Sequence, residues 1–316
     1  MARPGVGVSL AAETPDWFTA ALAAPRDEGV VEVGGCPIHF LAWGSAGLPG
    51  LVLVHGGAAH AHWWSFLAPL LADSWDCVAL DLSGHGDSGR RRAYSLEAWA
   101  GEVMAVAERA AFPEPPVLVG HSMGGLIAIQ AARDHGDSLA GAILVDAPLR
   151  RPDPESQEGS RTRALRVLGA HATRAEAEGR FRLIPGQPGV HPAIFRHIAA
   201  HSVREVAGGW TWKFDPQVFG RPRLPVGDLL PEARCRLALI FGERSEVVTA
   251  DVAAYTAEMM GPGAPVVCLP GAYHHLLLDS PLVFVGALRG LLAAWGHGED
   301  RPRRESFGGG RSPDYS

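Results

Sequence analysis

The chain has 316 residues, enough for one large α/β domain with an insertion, or for two domains. A formal charge of −6, with 20% charged and 47% hydrophobic residues, fits an ordinary soluble globular protein and provides no basic stripe for nucleic acid. Every apolar run is too short to span a bilayer, and the segment before Asp27 lacks the order of a secretory signal, so a cytoplasmic protein with no membrane partner is expected.

Residues 1–28 read as a loose lead-in with one short helix near Trp17. Val30 to Val33, Gly34-Gly35 and Ile38 to Leu41 predict a strand, a two-residue turn and a strand. Leu51-Val52-Leu53-Val54 is a continuous apolar run, as in a parallel strand covered on both faces. Helical periodicity runs from His62 to Leu71. Cys77 to Leu80 predicts the next strand, and Ser95 to Ala111 a helix with Ser95 as its N-cap. Val117-Leu118-Val119 reads as another buried strand. A helix to about His135 and a strand over Ala142 to Val145 follow.

The alternation then breaks. From Pro148 to Pro231 the chain shows proline punctuation and helical patches near Ser160–Gly179 and His191–Val206, with no strong buried strand. This predicts a helical insertion over one end of the sheet. Strand and helix resume with Leu237 to Phe241, Asp251 to Met260, Val266 to Leu269 and Leu282 to Trp295. The organisation expected is a lead-in over 1–28, an α/β core over 29–147 and 232–296, an insertion over 148–231, and a charged, Gly-rich, disordered tail over 297–316. Cys36, Cys77, Cys235 and Cys268 form no C-x-x-C pair, which argues against a zinc knuckle or a redox dithiol. Cys77 and Cys268 sit in apolar runs and read as core residues.

Gly120-His121-Ser122-Met123-Gly124-Gly125 lies between an apolar strand and an apolar helix. A turn this tight forces Ser122 into strained backbone angles and holds its hydroxyl at the carboxyl end of the sheet. Gly120 and Gly124 are needed because a Cβ there would collide with a neighbouring strand or helix. A serine hydroxyl is a poor nucleophile without a base, so a histidine and a carboxylate are expected elsewhere. Gly271-Ala272-Tyr273-His274-His275 follows the last strand; His274 is the expected base and His275 a polar loop residue. The Met123 N–H and the Gly57 N–H, from His55-Gly56-Gly57 after an earlier strand, are the expected oxyanion hole. Two carboxylates compete for the acid. Asp146 ends the strand after the nucleophile helix and is preferred; Glu246 follows the next core strand.

The loop Asp81 to Gly89 is expected to brace the floor of the site. His55 and the H-x-H pair His60 and His62 lack a completing Asp-His set, so no metal is expected. Trp63, Trp64, Trp210 and Trp212 are candidate linings of an apolar pocket, against the plainer reading that large aromatics form core.

His-Gly-Gly, Gly-His-Gly-Asp-Ser, Gly-His-Ser-Met-Gly-Gly and a late His-x4-Asp-x-Pro follow one another over residues 30–147 and 235–295. In these motifs and their order the chain resembles the α/β-hydrolase superfamily. The resemblance implies an eight-stranded, mostly parallel sheet with helices on both faces, a variable cap in the Pro148–Pro231 stretch, a Ser–His–acid triad and no cofactor. Family members usually carry Asp where Ser245 stands; some place the acid after the preceding core strand, where Asp146 falls. Haloalkane dehalogenases and epoxide hydrolases of the family use Asp as nucleophile, and Ser122 at that position argues against both activities. The expected function is a serine hydrolase of the carboxylesterase kind, acting on a small or medium, fairly apolar ester or related acyl compound. The alternatives are a hydrolase of carbon–carbon bonds in ring-cleavage products and a small-molecule receptor on a hydrolase scaffold.

Overall fold

A computed structural model describes residues 13–149, 169–220 and 226–296. The expected disordered tail over 297–316 and the first nine residues, 160–168, of the helical patch Ser160–Gly179 lie outside the described residues.

Helix α1 (Asp16–Ala23) precedes a hairpin of β1 (Asp27–Val33) and β2 (Cys36–Trp43). Gly34 and Gly35 both have positive φ, +54° and +73°, as a two-residue turn between twisted strands requires. Strands β3 (Gly50–Val54), β4 (Asp76–Leu80), β5 (Val117–His121) and β6 (Gly141–Val145) alternate with helices α2 (Leu96–Ala110) and α3 (Met123–His135). The Ser95 side chain accepts from the Ala98 N–H at the start of α2, the cap that its position predicts. The insertion holds α4 (Arg174–Gly179), α5 (Pro192–His201), β7 (Val203–Val206) and β8 (Gly209–Trp212). Then come β9 (Arg236–Gly242), α6 (Ala250–Met260), β10 (Val266–Leu269), α7 (Leu276–Asp279) and α8 (Pro281–Ala294).

The main sheet has eight strands in the order β1-β2-β4-β3-β5-β6-β9-β10. β2 runs antiparallel to β1 and β4; every other pairing is parallel. The apolar runs divide by strict alternation. Leu51, Leu53, Val117, Val119, Ile143 and Val145 join one buried cluster with Phe284 and Leu288 of α8. Val52, Val54, Leu118, Ala142 and Leu144 join another with Val103 of α2 and Ile127 of α3. A period of two with apolar residues at every position is the pattern of a strand buried on both faces. Burying each such Val or Leu side chain is worth about 1.5–3 kcal/mol.

The parallel strands end level at one edge. Val54 lies beside Gly120, His121 beside Val145, Val145 beside Ile240, and Gly242 beside Leu269. The loops carrying residues 55–60, 122, 146, 243–246 and 270–275 therefore leave the sheet at the same edge.

Three expectations are corrected. The segment His62 to Leu71 is two short 3₁₀ turns, Ala61–Trp63 and Ala68–Leu70, with Pro69 inside the second, rather than one helix. The patch His191–Val206 is helical only to His201; Val203–Val206 pairs with Gly209–Trp212 as a separate antiparallel hairpin, so the insertion is not purely helical. Cys268 is exposed, because β10 is the edge strand and pairs only with β9, whereas Cys77 is buried as expected. Among the described residues, no helix is long and apolar enough to cross a membrane.

Candidate active site

Ser122 sits between β5 and α3 with φ +53° and ψ −116°, a conformation costing on the order of 1–3 kcal/mol that the surrounding structure must hold. Its N–H donates to Val145 O at 2.8 Å, and its own carbonyl accepts from the Gly125 N–H at 3.0 Å. The flanking glycines are there for space. A Cβ on Gly120 would stand 2.2 Å from Gly124 O, and one on Gly124 would stand 2.4 Å from Val54 O. Helix and strand can approach this closely only without those side chains, and the approach lifts Ser122 into partial exposure.

His274 is buried, and its Nδ1 donates to Asp146 Oδ1 at 2.8 Å. Asp146 is fully buried at the end of β6, with φ +47°. Its Oδ2 accepts from the Gly242 N–H at 2.9 Å, and its Oδ1 also accepts from Ser245 Oγ at 2.6 Å. Glu246 is exposed. Of the two carboxylates in competition, Asp146 is the one joined to His274. The imidazole is thereby held with its Nδ1 protonated, which leaves Nε2 as the basic nitrogen.

His274 is tied to the serine turn through the neighbouring residue. The His121 Nε2–H donates to His274 O at 3.0 Å, and the two rings are 5.0 Å apart. Burial lowers the His121 pKa well below that of a free imidazole, as does the nearness of His274 and His275. His275 turns the other way. Its Nε2–H donates to Pro185 O at 3.1 Å, and its N–H donates to Gln187 Oε1 at 2.7 Å. Burial and the neighbouring His274 push its pKa down to about 3. Asp279 completes the brace: its Oδ2 accepts from Gln187 Nε2 at 2.7 Å and from the Tyr273 N–H at 2.9 Å. The loop bearing His274 is thus bound to the insertion.

Gly57 and Ala58 are partly exposed beside the turn. A Cβ on Gly57 would lie 3.0 Å from Phe219 Cε1 and 3.7 Å from Met123 Sδ, so the two residues expected to form the oxyanion hole are neighbours. His55 stiffens this loop: its Nδ1–H donates to Gly56 O at 2.7 Å and its Nε2 accepts from the Leu82 N–H at 3.1 Å. Asp81 braces it from below, accepting from the Ala61 N–H at 2.7 Å and from His39 Nδ1 at 2.8 Å. Burial works against the Asp81 carboxylate, but the bond from His39 and the nearby imidazoles outweigh it and hold its pKa well below the usual range.

The four tryptophans separate. Trp63 stacks on His121 at 6.0 Å and meets His275 edge-on at 5.3 Å, so it lies at the site. Trp64 is fully buried and packs on Phe284, which places it in the core and corrects its candidacy as a pocket lining. Trp210 lies under the Arg174 guanidinium, and Trp212 packs against Phe181 and His171; these contacts are internal to the insertion. Sequence reasoning missed Phe219 and the bond that Ser245 makes to Asp146. Phe219 carries no local signal, since only folding brings it to Gly57. Ser245 had one, a small hydroxyl residue at the position where relatives carry the acid.

His55, His60 and His62 do not form one group. His62 instead lies with His197 and His201, one ring nitrogen of each being within 4.8 Å of the others.

The model of the alpha/beta hydrolase family matches residues 51–287. The chain belongs to the alpha/beta hydrolase family. It is similar to a fluoroacetate dehalogenase of Burkholderia sp., 34% identical over 123 residues, which covers 37% of this chain and 40% of that protein. It is also similar to a pimeloyl-[acyl-carrier protein] methyl ester esterase of Methylococcus capsulatus, 37% identical over 97 residues, covering 31% of this chain and 36% of the relative. These matches span less than half the length of the curated relatives. Among solved structures, a thioesterase domain from the curacin biosynthetic pathway superposes with a TM-score of 0.69 at 25% identity, covering 85% of this chain and 99% of that one.

Proposed function

We propose that this α/β-hydrolase is a serine hydrolase of the carboxylesterase kind, acting on a small or medium, fairly apolar ester or related acyl compound. The observation that carries the reading is the buried Asp146–His274 hydrogen bond of 2.8 Å, anchored beside a serine on a strained strand-to-helix turn. In this reading His274 Nε2 takes the Ser122 proton as Oγ attacks the carbonyl. The N–H groups of Gly57 and Met123 stabilise the oxyanion, and the proton passes to the leaving alcohol. Water activated by His274 then attacks the acyl-enzyme, and Ser122 regains its proton as the acid leaves. Asp146 stays ionised and steadies the imidazolium.

Residues 148–231 act as the cap. Phe219 lying against Gly57 and Gln187 bonding the His274 loop support that role, since both bring the insertion to the reacting centre. Phe219 and Trp63 supply apolar surface suited to an acyl chain. The esterase among the relatives agrees with this chemistry. The dehalogenase name does not transfer, because a serine stands at the nucleophile position.

The test is a series of p-nitrophenyl esters of increasing acyl length with wild type and Ser122→Ala. Hydrolysis that favours short to medium chains and vanishes in the variant is expected. No turnover of any ester, or equal turnover by Ser122→Ala, would discard the reading.

A further inference from the structure

His62, on the 3₁₀ turn after β3, faces His197 and His201, which are four residues apart on one face of α5. The rings of His62 and His201 are 3.8 Å apart, those of His197 and His201 4.5 Å, and those of His62 and His197 6.0 Å. The surrounding hydrogen bonds decide which nitrogens are bare. Ser65 Oγ donates to His62 O at 2.9 Å, so it accepts from His197 Nε2–H at 2.8 Å. His201 Nδ1–H donates to His197 O at 2.9 Å. Each bond leaves the other ring nitrogen, His197 Nδ1 and His201 Nε2, as an unprotonated lone pair. His62 is more than nine-tenths buried, and its Nδ1 has no hydrogen-bond partner. One nitrogen of each of the three rings is thus gathered within 4.8 Å of the others.

We propose that His62, His197 and His201 form a binding site for a borderline divalent transition ion of the Zn²⁺ type, with water or an anion as fourth ligand. The bonds from the far ring nitrogens to Ser65 Oγ and to a backbone carbonyl are the outer-shell partners that orient ligating imidazoles. A Zn–N bond is about 2.0–2.1 Å, so the rings must close in by small side-chain rotations. Neutral nitrogen donors without a carboxylate among them select against Mg²⁺ and Ca²⁺. His197 and His201 are partly exposed, which provides an entry path. The ion would clasp α5 of the insertion to the segment that follows the oxyanion loop. This site is independent of the proposed hydrolytic chemistry.

The test uses full-length protein without a polyhistidine tag, stripped with a chelator and titrated with Zn²⁺ by calorimetry. Co²⁺ serves as a spectroscopic probe of four-coordination. One ion per chain with micromolar or tighter affinity is expected, with a rise in melting temperature. His197→Gln and His201→Gln, at partly exposed positions that leave the fold intact by circular dichroism, should each weaken binding by roughly tenfold or more. His274→Ala should bind as wild type does. No binding at millimolar Zn²⁺, or unchanged affinity in both glutamine variants, overturns the proposal. So does a loss of binding confined to His274→Ala, which would move the ion to the His121, His274 and His275 group.

Discussion

Ser245 Oγ donates to Asp146 Oδ1 at 2.6 Å, the same carboxylate oxygen that accepts the His274 Nδ1–H at 2.8 Å. The serine hydroxyl in turn accepts from the N–H groups of Val247 and Val248 at 3.1 and 3.0 Å. A residue at the family's usual acid position thus serves here as a prop for a carboxylate supplied by the preceding core strand. Replacing it by alanine removes a hydrogen bond to a buried carboxylate, worth about 1.5–3 kcal/mol. Ser245→Ala should lower kcat by roughly one order of magnitude with KM little changed. An unchanged kcat would mean that the prop has no part in holding Asp146.

The two carboxylates can be separated directly. Asp146→Asn should cost on the order of 10⁴ in kcat, since it leaves His274 in the wrong tautomer. Glu246→Gln should leave ester hydrolysis unaltered, because Glu246 is exposed and His274 is bonded elsewhere. The reverse ranking, measured with one p-nitrophenyl ester, would reassign the acid.

Glycine substitutions should split by what a Cβ would meet. Gly124→Ala places a methyl 2.4 Å from Val54 O and 2.7 Å from His55 O, so the turn must shift; loss of most activity and of several kcal/mol of stability (~2–4) is expected. Gly101 lies inside α2 with nothing within 4 Å of an added Cβ. Gly101→Ala should stabilise by about 0.5–1 kcal/mol, read from urea unfolding, with hydrolysis unaffected. Equal effects of the two changes would refute the packing account of the turn.

Acid should weaken the fold through imidazoles buried around the site. Burial is the main cause that lowers the pKa values of His55, His121 and His275 in the folded chain. Below about pH 6.5 the unfolded chain takes up protons that the folded chain refuses, so this stability is present above that pH and lost as pH falls. Each such group contributes a slope of up to ~1.4 kcal/mol per pH unit. Urea midpoints should drop steeply between about pH 7 and pH 5. A flat profile over that range would contradict the burial of these rings as neutral groups.

Phe219 tests the reach of the insertion. Phe219→Ala should raise KM for medium-chain esters several-fold, with a smaller effect on acetate, because it removes apolar surface beside Gly57. An equal change for all chain lengths would detach Phe219 from acyl recognition.

The apolar runs at Leu51 to Val54, Val117 to Val119 and Ala142 to Val145 are legible as doubly covered strands because period and burial are local properties of the chain. The Gly-x-Ser-x-Gly turn is legible for the same reason: its glycines answer contacts with the strands and helix immediately around it. Short-range pattern misleads at His62 to Leu71 and at Val203 to Val206, where packing against neighbours overrides helical periodicity.

The sequence by itself determined the sheet, the alternation of strand and helix that builds it, and the strained serine. The sequence favoured Asp146 over Glu246 and His274 over His275, but only the tertiary structure joins Asp146 to His274, turns His275 away from it, and brings His62 to His197 and His201. These partners lie far apart along the chain, and each pairing depends on which loops the level strand ends and the docked insertion bring to one edge. No local preference of a carboxylate or an imidazole carries that information, since direction and distance are set by the register of the sheet and by the packing above it.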